Sequence, residues 1–572
     1  ISREINKTHD EALALYHIGR TYQYWGKYEQ AVDYYQQSKE LYQELGRDKN
    51  VANQWYWLGN CYQLWGKYQQ AVNYYQQSKD IHQQLGRDKS VAKQWSWLAN
   101  CYRLWGKYEQ AIKYEKKELE NSHQLDYKVN IALAYWRLGR IHQDWGKYQQ
   151  AINCYQQSRD VYQQLSKDKN VANQWYWLCN CYRLWGKYQQ AIECQNQCLT
   201  IRQQLDEQAS IASGYYQLGR IYQDWGKYKQ AVDYFHQSKD ISQQLGRDKV
   251  VANQWYWLGD CYRLWGKYKQ AVECQNQCLT IRQQLYNQAD IALAYFQLAN
   301  IYQAWGKYEQ AINYYQQSKE INQKLDKNQN IARILSRLAS CYQDLENYQK
   351  AIEYSQESLA LNQQLDQQQS IARSYWQISD SQISLAKNIS NQAEISELLT
   401  QAEENINQAI TIDTKGDYKQ NLAYDYIVFS LLCSQNSRLT PNNSSKQEKI
   451  NLFEEYYHKA FTHFDELGQE IIKSGQALKI ARTYLEVEAL ENLDKSEEIA
   501  KECLLVFQEY NRRKLEAKAR KLLGEIYQKR AQHNQVDAKS IANQFLSESL
   551  QIYQDLDLQE KALEVEQILY SN

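Results

Sequence analysis

One proline, Pro441, stands in a chain of 572 residues, where average usage of about 5% would give many more. Glycine is also scarce, at 21. Sandwiches and barrels need frequent turn residues, so an all-β architecture is excluded. No apolar run approaches the roughly 18 residues of a membrane-spanning helix, and no secretory signal opens the chain. An excess of one charge is missing too. Lys+Arg and Asp+Glu both number 67, which removes the electrostatic footprint of a nucleic-acid binder and any attraction to an anionic membrane. Methionine is absent and the chain opens on Ile1, so a processed chain or part of a longer protein is expected.

Aromatic residues are abundant instead, with 51 tyrosines and 18 tryptophans. That richness excludes a disordered polar chain. The 13 cysteines are an odd number in a long chain, which reads as reduced thiols and a cytoplasmic location. Enrichment in Gln, Asn, Tyr and Lys reads as an AT-rich bacterial genome.

The dominant feature is a repeat. Trp-Gly-Lys-Tyr begins at Trp25, Trp65, Trp105, Trp145, Trp185, Trp225, Trp265 and Trp305, always 40 residues apart, with a decayed ninth copy at Leu345–Tyr348. Alanine columns keep the same register, one from Ala12 to Ala372 and another from Ala31 to Ala351. Within one unit, Val51, Trp55, Leu58, Cys61 and Tyr62 fall at helical spacing. Gly66 ends that helix, since glycine accepts the left-handed conformation past a C-terminus. Tyr68, Ala71, Val72, Tyr75, Ile81 and Leu85 make a second helix, ended by Gly86-Arg87-Asp88, with Asp88 the expected N-cap of the next unit. Each unit is therefore an antiparallel helix pair that buries its apolar faces only when stacked.

Trp55, Leu58, Gly59, Tyr62, Gly66, Tyr68, Ala71 and Tyr75 resemble the tetratricopeptide repeat pattern over residues 11–366. The period is 40 rather than 34, and Gln83 stands where that family closes with proline. Forty-residue variants are similar to those of kinesin light chains, Leu-Gly-Asn polarity adaptors and bacterial sensor proteins. The resemblance implies an all-α fold, an α-solenoid coiling as a right-handed superhelix of antiparallel helix pairs. It implies a non-enzymatic scaffold without cofactor whose partner is a protein or peptide. A sensor or adaptor region of a larger protein, linked to an N-terminal effector domain, is the expected setting.

The division by regularity is 1–370 as nine regular units, 371–440 as degenerate repeat-like helices, and 441–572 as divergent helices with a cap. Expected pairs are Ile371–Ala386 with Ala393–Ile412, Leu422–Cys433 with Ile450–Leu467, Ala477–Leu490 with Ser496–Tyr510, and Leu515–Arg530 with Ala538–Leu556. Leu558–Leu569 reads as a lone capping helix, and Ser434–Lys446 as the one clear loop. About 13 pairs result. A longer rhythm overlies these: Val171–Leu205 and Val251–Leu285, 80 residues apart, differ at four positions.

Catalytic signatures are lacking. Gly66-Lys67 has no phosphate-loop context, and no nucleophile–base constellation is readable. His458 and His463 are five apart, not three or four, so they do not share a helix face. The cysteines offer the one alternative chemistry, a metal- or redox-responsive site built from Cys179, Cys181, Cys194 and Cys198 or from Cys261, Cys274 and Cys278. Packing as small hydrophobes is the competing reading, and the Trp-Gly-Lys-Tyr tryptophans read as packing too.

In the resembling family the first helices line a concave groove. Helical geometry places there the residue after the Trp55-type position and those four, seven and eight further on. The leading column is Tyr16, Tyr56, Ser96, Trp136, Tyr176, Tyr216, Tyr256, Phe296 and Ser336. The second is Arg20, Asn60, Asn100, Arg140, Asn180, Arg220, Asp260, Asn300 and Ser340. The third is Gln23, Gln63, Arg103, Gln143, Arg183, Gln223, Arg263, Gln303 and Gln343. Asparagine can clamp a peptide bond, arginine offers a fork for carboxylates, and tyrosine gives contact area at low entropic cost. Peptide binding is expected at Tyr16, Arg20, Tyr56, Asn60, Asn100, Arg103, Trp136, Arg140, Tyr176, Asn180, Arg183, Tyr216, Arg220, Tyr256, Asp260, Arg263, Phe296 and Asn300.

Overall fold

A computed structural model describes residues 2–533 and 535–570. Among them are 27 α-helices, from α1 (Ser2–Tyr24) to α27 (Gln559–Tyr570), one 3-10 turn at Glu488–Leu490, and no strand. Successive helices pair antiparallel, giving the thirteen pairs and lone final helix expected. From α2 (Tyr28–Glu44) to α18 (Tyr348–Gln364) every helix is 17 residues long, so the 40-residue period holds two helices and two three-residue turns. First helices of successive pairs also approach one another, as α5 (Asp88–Leu104) does α7 (Lys128–Asp144).

The turns explain that length. After α3 (Asp48–Leu64), Gly66 takes φ +80°. The Lys67 N–H donates to the Tyr62 carbonyl at 2.9 Å and the Gly66 N–H to Gln63 at 3.1 Å, the double closure of a Schellman motif. Lys67 Nζ then sits 3.4 Å from the centre of the Trp65 ring, a cation–π clasp repeated at Lys147 over Trp145 and Lys227 over Trp225. The recurring tryptophans are thus part of the turn. At the second turn Gly86 has φ +62°, while Asp126, Ser166, Asp206 and Tyr286 hold the same left-handed conformation without being glycine.

Two expectations need correction. Asp88 is not an N-cap: it is the first helical residue of α5, Arg87 is the cap, and no side chain bonds there. The cap falls on the third residue of the turn, one position before Asp88: where that residue is asparagine, as at Asn287, its side chain does accept a helix N–H, from Asp290, but the Arg87 side chain has no oxygen to offer. The loop at Ser434–Lys446 shrinks to Thr440–Asn442, between α21 (Lys419–Leu439) and α22 (Asn443–Glu466). The polar cluster there starts a helix, because the Asn442 side chain accepts the Ser444 N–H at 2.9 Å. Ser434 and Ser437 bond back to helix carbonyls at 2.6 and 2.7 Å.

Small residues set the packing. Ala31, Ala71, Ala111 and their later equivalents are fully buried. A Cβ added at Gly139 would meet the Tyr155 ring at 2.6 Å, so the Leu-Gly of the pattern exists to admit the second-helix tyrosine. Ser38, Ser78 and Ser158 donate to the carbonyls of Ala12, Ala52 and Ala132 at 2.7, 2.8 and 2.7 Å, tying the two helices of a pair.

The chain divides into compact units 1–221 and 222–572, within α11 (Gln208–Asp224). In the second unit the C-terminal helices return to the turns of the regular repeats. Leu556, Leu558 and Val565 share one core with Tyr268, Ile301 and Trp305. The Trp305 indole N–H donates to the Asp557 carbonyl at 3.1 Å and Lys514 donates to the Ala304 carbonyl at 2.7 Å. Arg512 donates to the Tyr228 hydroxyl at 2.6 Å. These contacts join residues more than two hundred positions apart.

Candidate functional site

The first-helix columns are half-buried rather than free. The leading column fits against the next repeat: the Tyr16 ring lies 5.6 Å from Trp57, Tyr56 5.3 Å from Trp97, and Trp136 5.7 Å from Trp177. Phe296 is buried against Tyr315. The second and third columns bond to one another. Gln23 donates to Asn60 at 2.7 Å, Gln223 to Asp260 at 2.9 Å, and Arg183 to Asn180 at 2.9 Å. Arg263 forks onto Asp260 at 3.0 and 2.6 Å. Arg20 covers the Tyr16 and Trp57 rings, Arg220 donates to Tyr216 at 3.0 Å, and Tyr256 and Asn300 both engage Gln297. Most of the eighteen candidates are therefore engaged, some by the neighbouring repeat and some by a residue three or four positions away on the same helix.

At the third and fourth repeats this packing opens. A cavity of about 1170 Å³ lies among α5, α6 (Tyr108–Gln124) and α7, lined by Asn100, Arg103, Trp136 and Arg140 together with Ser96 and Trp97. Four of the expected peptide-binding residues thus meet at one site. Arg103 pairs with Asp144 and donates to Asn100 at 2.9 Å. The Arg140 guanidinium lies over Trp136 and Trp177 at 5.3 and 5.5 Å.

The opening has a local cause. In three repeats a second-helix tyrosine stacks on a first-helix tryptophan 22 residues on: Tyr35 on Trp57, Tyr75 on Trp97 and Tyr155 on Trp177, at 6.2–6.5 Å. At the third repeat the same two positions hold Glu115 and Arg137. Glu118 replaces the serine of the Ser38, Ser78 and Ser158 column, and Ala99 the glycine. Arg137 Nη1 donates to Glu115 Oε1 at 2.9 Å and lies 4.0 Å from Glu118. Two slender charged chains fill less of the slot than two stacked rings. Glu115 is fully buried and Glu118 nearly so. Burial pushes the Glu115 carboxyl up to about 8 against the opposing pull of Arg137, and raises Glu118 as well. Glu115 Oε2, Glu118 Oε2 and the Trp136 indole nitrogen have no hydrogen-bond partner.

Glu115, Glu118 and Arg137 escaped the sequence reading. They face the slot between repeats, which a search of the outward first-helix columns does not cover. The signal was there: a break in the tyrosine column at 115 and in the tryptophan column at 137.

The cysteines sit in packing positions. Cys61, Cys101 and Cys181 each donate to a carbonyl of the preceding repeat at 3.5–3.7 Å. Burial pushes each of these thiols up to about 12. Among the described residues no three His, Cys, Asp or Glu are grouped to hold a metal ion, and no helix is long and apolar enough to cross a membrane.

Family comparison places tetratricopeptide repeat models on residues 10–84, 50–122, 90–164, 170–244 and 251–324, and a further one on 332–365. No curated protein matches the chain. Solved structures give partial likenesses. A signal-transduction ATPase with a tetratricopeptide repeat sensor from Pyrococcus horikoshii is 15% identical, over 71% of this chain and 55% of that one, with a TM-score of 0.40. Aspartyl phosphate phosphatase F from Bacillus subtilis is 15% identical, over 67% and 93%, at 0.43. A putative kinesin light chain with nearly identical repeats from Podospora anserina is 21% identical, over 34% and 95%, at 0.31.

Proposed function

The chain belongs to the tetratricopeptide repeat family, and on that footing we propose that it is a protein-interaction scaffold that binds a peptide or protein segment along the inner face of its first helices. The observation that carries this is the convergence of Asn100, Arg103, Trp136 and Arg140 on one cavity large enough for several residues of an extended chain. A drug-sized ligand needs about 300–1,000 Å³. Polar side chains already held by their neighbours are ordered before a ligand arrives, which lowers the entropic cost of binding. Tyr176, Asn180 and Arg183 continue the same edge on the next repeat. The array as the sensor or adaptor region of a longer chain is part of this proposal and rests on the sequence resemblance alone.

The test is affinity capture from the source cell with mass spectrometry, comparing the native chain with a Tyr176→Ala, Asn180→Ala, Arg183→Ala variant whose helicity is unchanged. Loss of a specific partner supports the inner face. Equal capture by both rules it out.

A further inference from the structure

From the slot between the third and fourth repeats we propose a charge-selective subsite that takes the arginine or lysine side chain of a bound peptide, with a carboxylate of the same peptide at its mouth. The inference rests on the peptide-binding reading above and adds the chemistry of the partner.

The floor is the first argument. Glu115 and Glu118 each keep one carboxylate oxygen free of hydrogen bonds while buried in the slot. Arg137 satisfies only the other oxygen of Glu115, and Ser122 donates to the other oxygen of Glu118 at 3.1 Å. Two carboxyls share one guanidinium. In the empty slot burial keeps the Glu115 carboxyl protonated; a second cation brought in on a ligand would favour release of that proton to solvent and so meet two carboxylate acceptors. Burying such groups unsatisfied is costly, and the neighbouring repeats show that the fold does not need them, because Tyr75 with Trp97 fills the same space without charge.

The walls are the second argument. Trp97 and Trp136 flank the cavity, and aromatic faces stabilise the shaft and head of an arginine or lysine. The mouth is the third. Among the lining residues Lys89, Lys93 and Lys128 are exposed and Arg103 and Arg140 half-buried, with Asp126 as the one exposed acid. Burial and the neighbouring Arg103 both lower Arg140, and Asp144 only partly offsets them. An isolated cation would meet repulsion at this mouth. A peptide carrying a carboxylate beside its basic residue would not. Acid floor and basic mouth together select an amphoteric segment over a simple cation or anion. The mouth carboxylate could be a chain terminus or an acidic side chain, since the chemistry is the same.

Isothermal titration of the full chain decides the matter with three tripeptide libraries, acetylated at the N-terminus and randomised at the first two positions. One ends in arginine with a free carboxylate, the second in citrulline, the third in arginine amide. A fourth library carries internal Arg-Glu and an amidated end. The arginine acid library is expected to bind saturably, and the citrulline library at least tenfold more weakly. Equal weakening of the amide and of the Arg-Glu libraries points to a chain terminus at the mouth, and retained Arg-Glu binding to an acidic side chain. Glu118→Gln is expected to weaken the arginine acid library tenfold. Ala99→Gly, Glu115→Tyr, Glu118→Ser and Arg137→Trp together, which rebuild the slot with the side chains of the preceding repeat, are expected to abolish binding while raising the melting temperature. Equal affinity for arginine and citrulline, no saturable binding of the arginine acid library at 1 mM, or undiminished binding by the refilled slot overturns the proposal. The Tyr176, Asn180, Arg183 variant lies on the next repeat, so partner capture that survives these failures leaves the wider reading intact.

Discussion

Arg137 donates to Glu115 at 2.9 Å in the position where, one repeat earlier, Trp97 stacks on Tyr75. The pair is set apart from its equivalents by chemistry, not by backbone: α6 and α7 keep the same lengths and turns as the other helices from α2 to α18. A cavity in a stack of regular backbone thus comes from side-chain exchange at four positions, 99, 115, 118 and 137.

That exchange makes stability depend on pH. Glu115 keeps its proton up to about pH 8 when folded and releases it near its ordinary pKa of about 4.3 when unfolded. Between those values the native state binds the extra proton, so stability falls as pH rises, by at most about 1.4 kcal/mol per pH unit for one group. Thermal melts from pH 5 to pH 8 are expected to show this decline in native protein and a flatter profile in Glu115→Gln.

Two glycines are expected to respond oppositely to alanine. Gly139→Ala drives a methyl into the Tyr155 ring, where a Cβ would stand 2.6 Å from Cε1, and overpacking of this kind costs about 1–3 kcal/mol. At Gly475, in a helix, an added Cβ would meet nothing within 4 Å beyond the local backbone, and the gain in helix propensity is up to about 1 kcal/mol. Urea midpoints of the two variants check both signs.

The return of the C-terminal helices to the repeat turns gives a third expectation. Leu556→Ala removes a buried side chain seated over Gly266, a change that costs about 2–5 kcal/mol in a packed core. Hydrogen exchange is expected to quicken around residues 265–268 and 304–306, and to stay unchanged at the equivalent turns near residues 65 and 105. Uniform protection in the variant would contradict the contact.

The thiols supply a fourth. Cys154 is half-buried and the other twelve are buried, and burial raises every one of them. Since the thiolate is the reactive form, Ellman's reagent is expected to titrate no cysteine in native protein within minutes, and all thirteen in urea. Rapid native reaction at Cys194 or Cys274 would revive the redox alternative.

Much of this was legible in the sequence. A fixed period with Gly66 and Gly86 at its turns specifies helix pairs, because only the left-handed conformation closes turns this short. The edges were less legible. Asp88 looked like a cap because its residue type favours caps, yet the tight turn leaves that role to Arg87. The polar run at 434–446 looked like a loop because serine and asparagine favour turns, yet their side chains bond to helix ends. Glu115 and Arg137 were hidden for another reason. They lie on different helices of different repeats, so neither shows helical spacing with the other. The docking of Leu556 onto Gly266 leaves no local trace at all.

Each slot is shared by the second helix of one repeat and the first helix of the next, and this limits how such an array grows. Tyr155 meets Trp177, Gln275 reaches across to the Ala294 carbonyl, and ring-bearing and glutamine-bearing slots alternate along the middle of the chain. Copying one 40-residue brick would set a glutamine against a tryptophan. Copying two in tandem keeps each seam matched, so the near-identity of Val171–Leu205 with Val251–Leu285 marks the smallest length this alternating stretch can gain without reworking a joint.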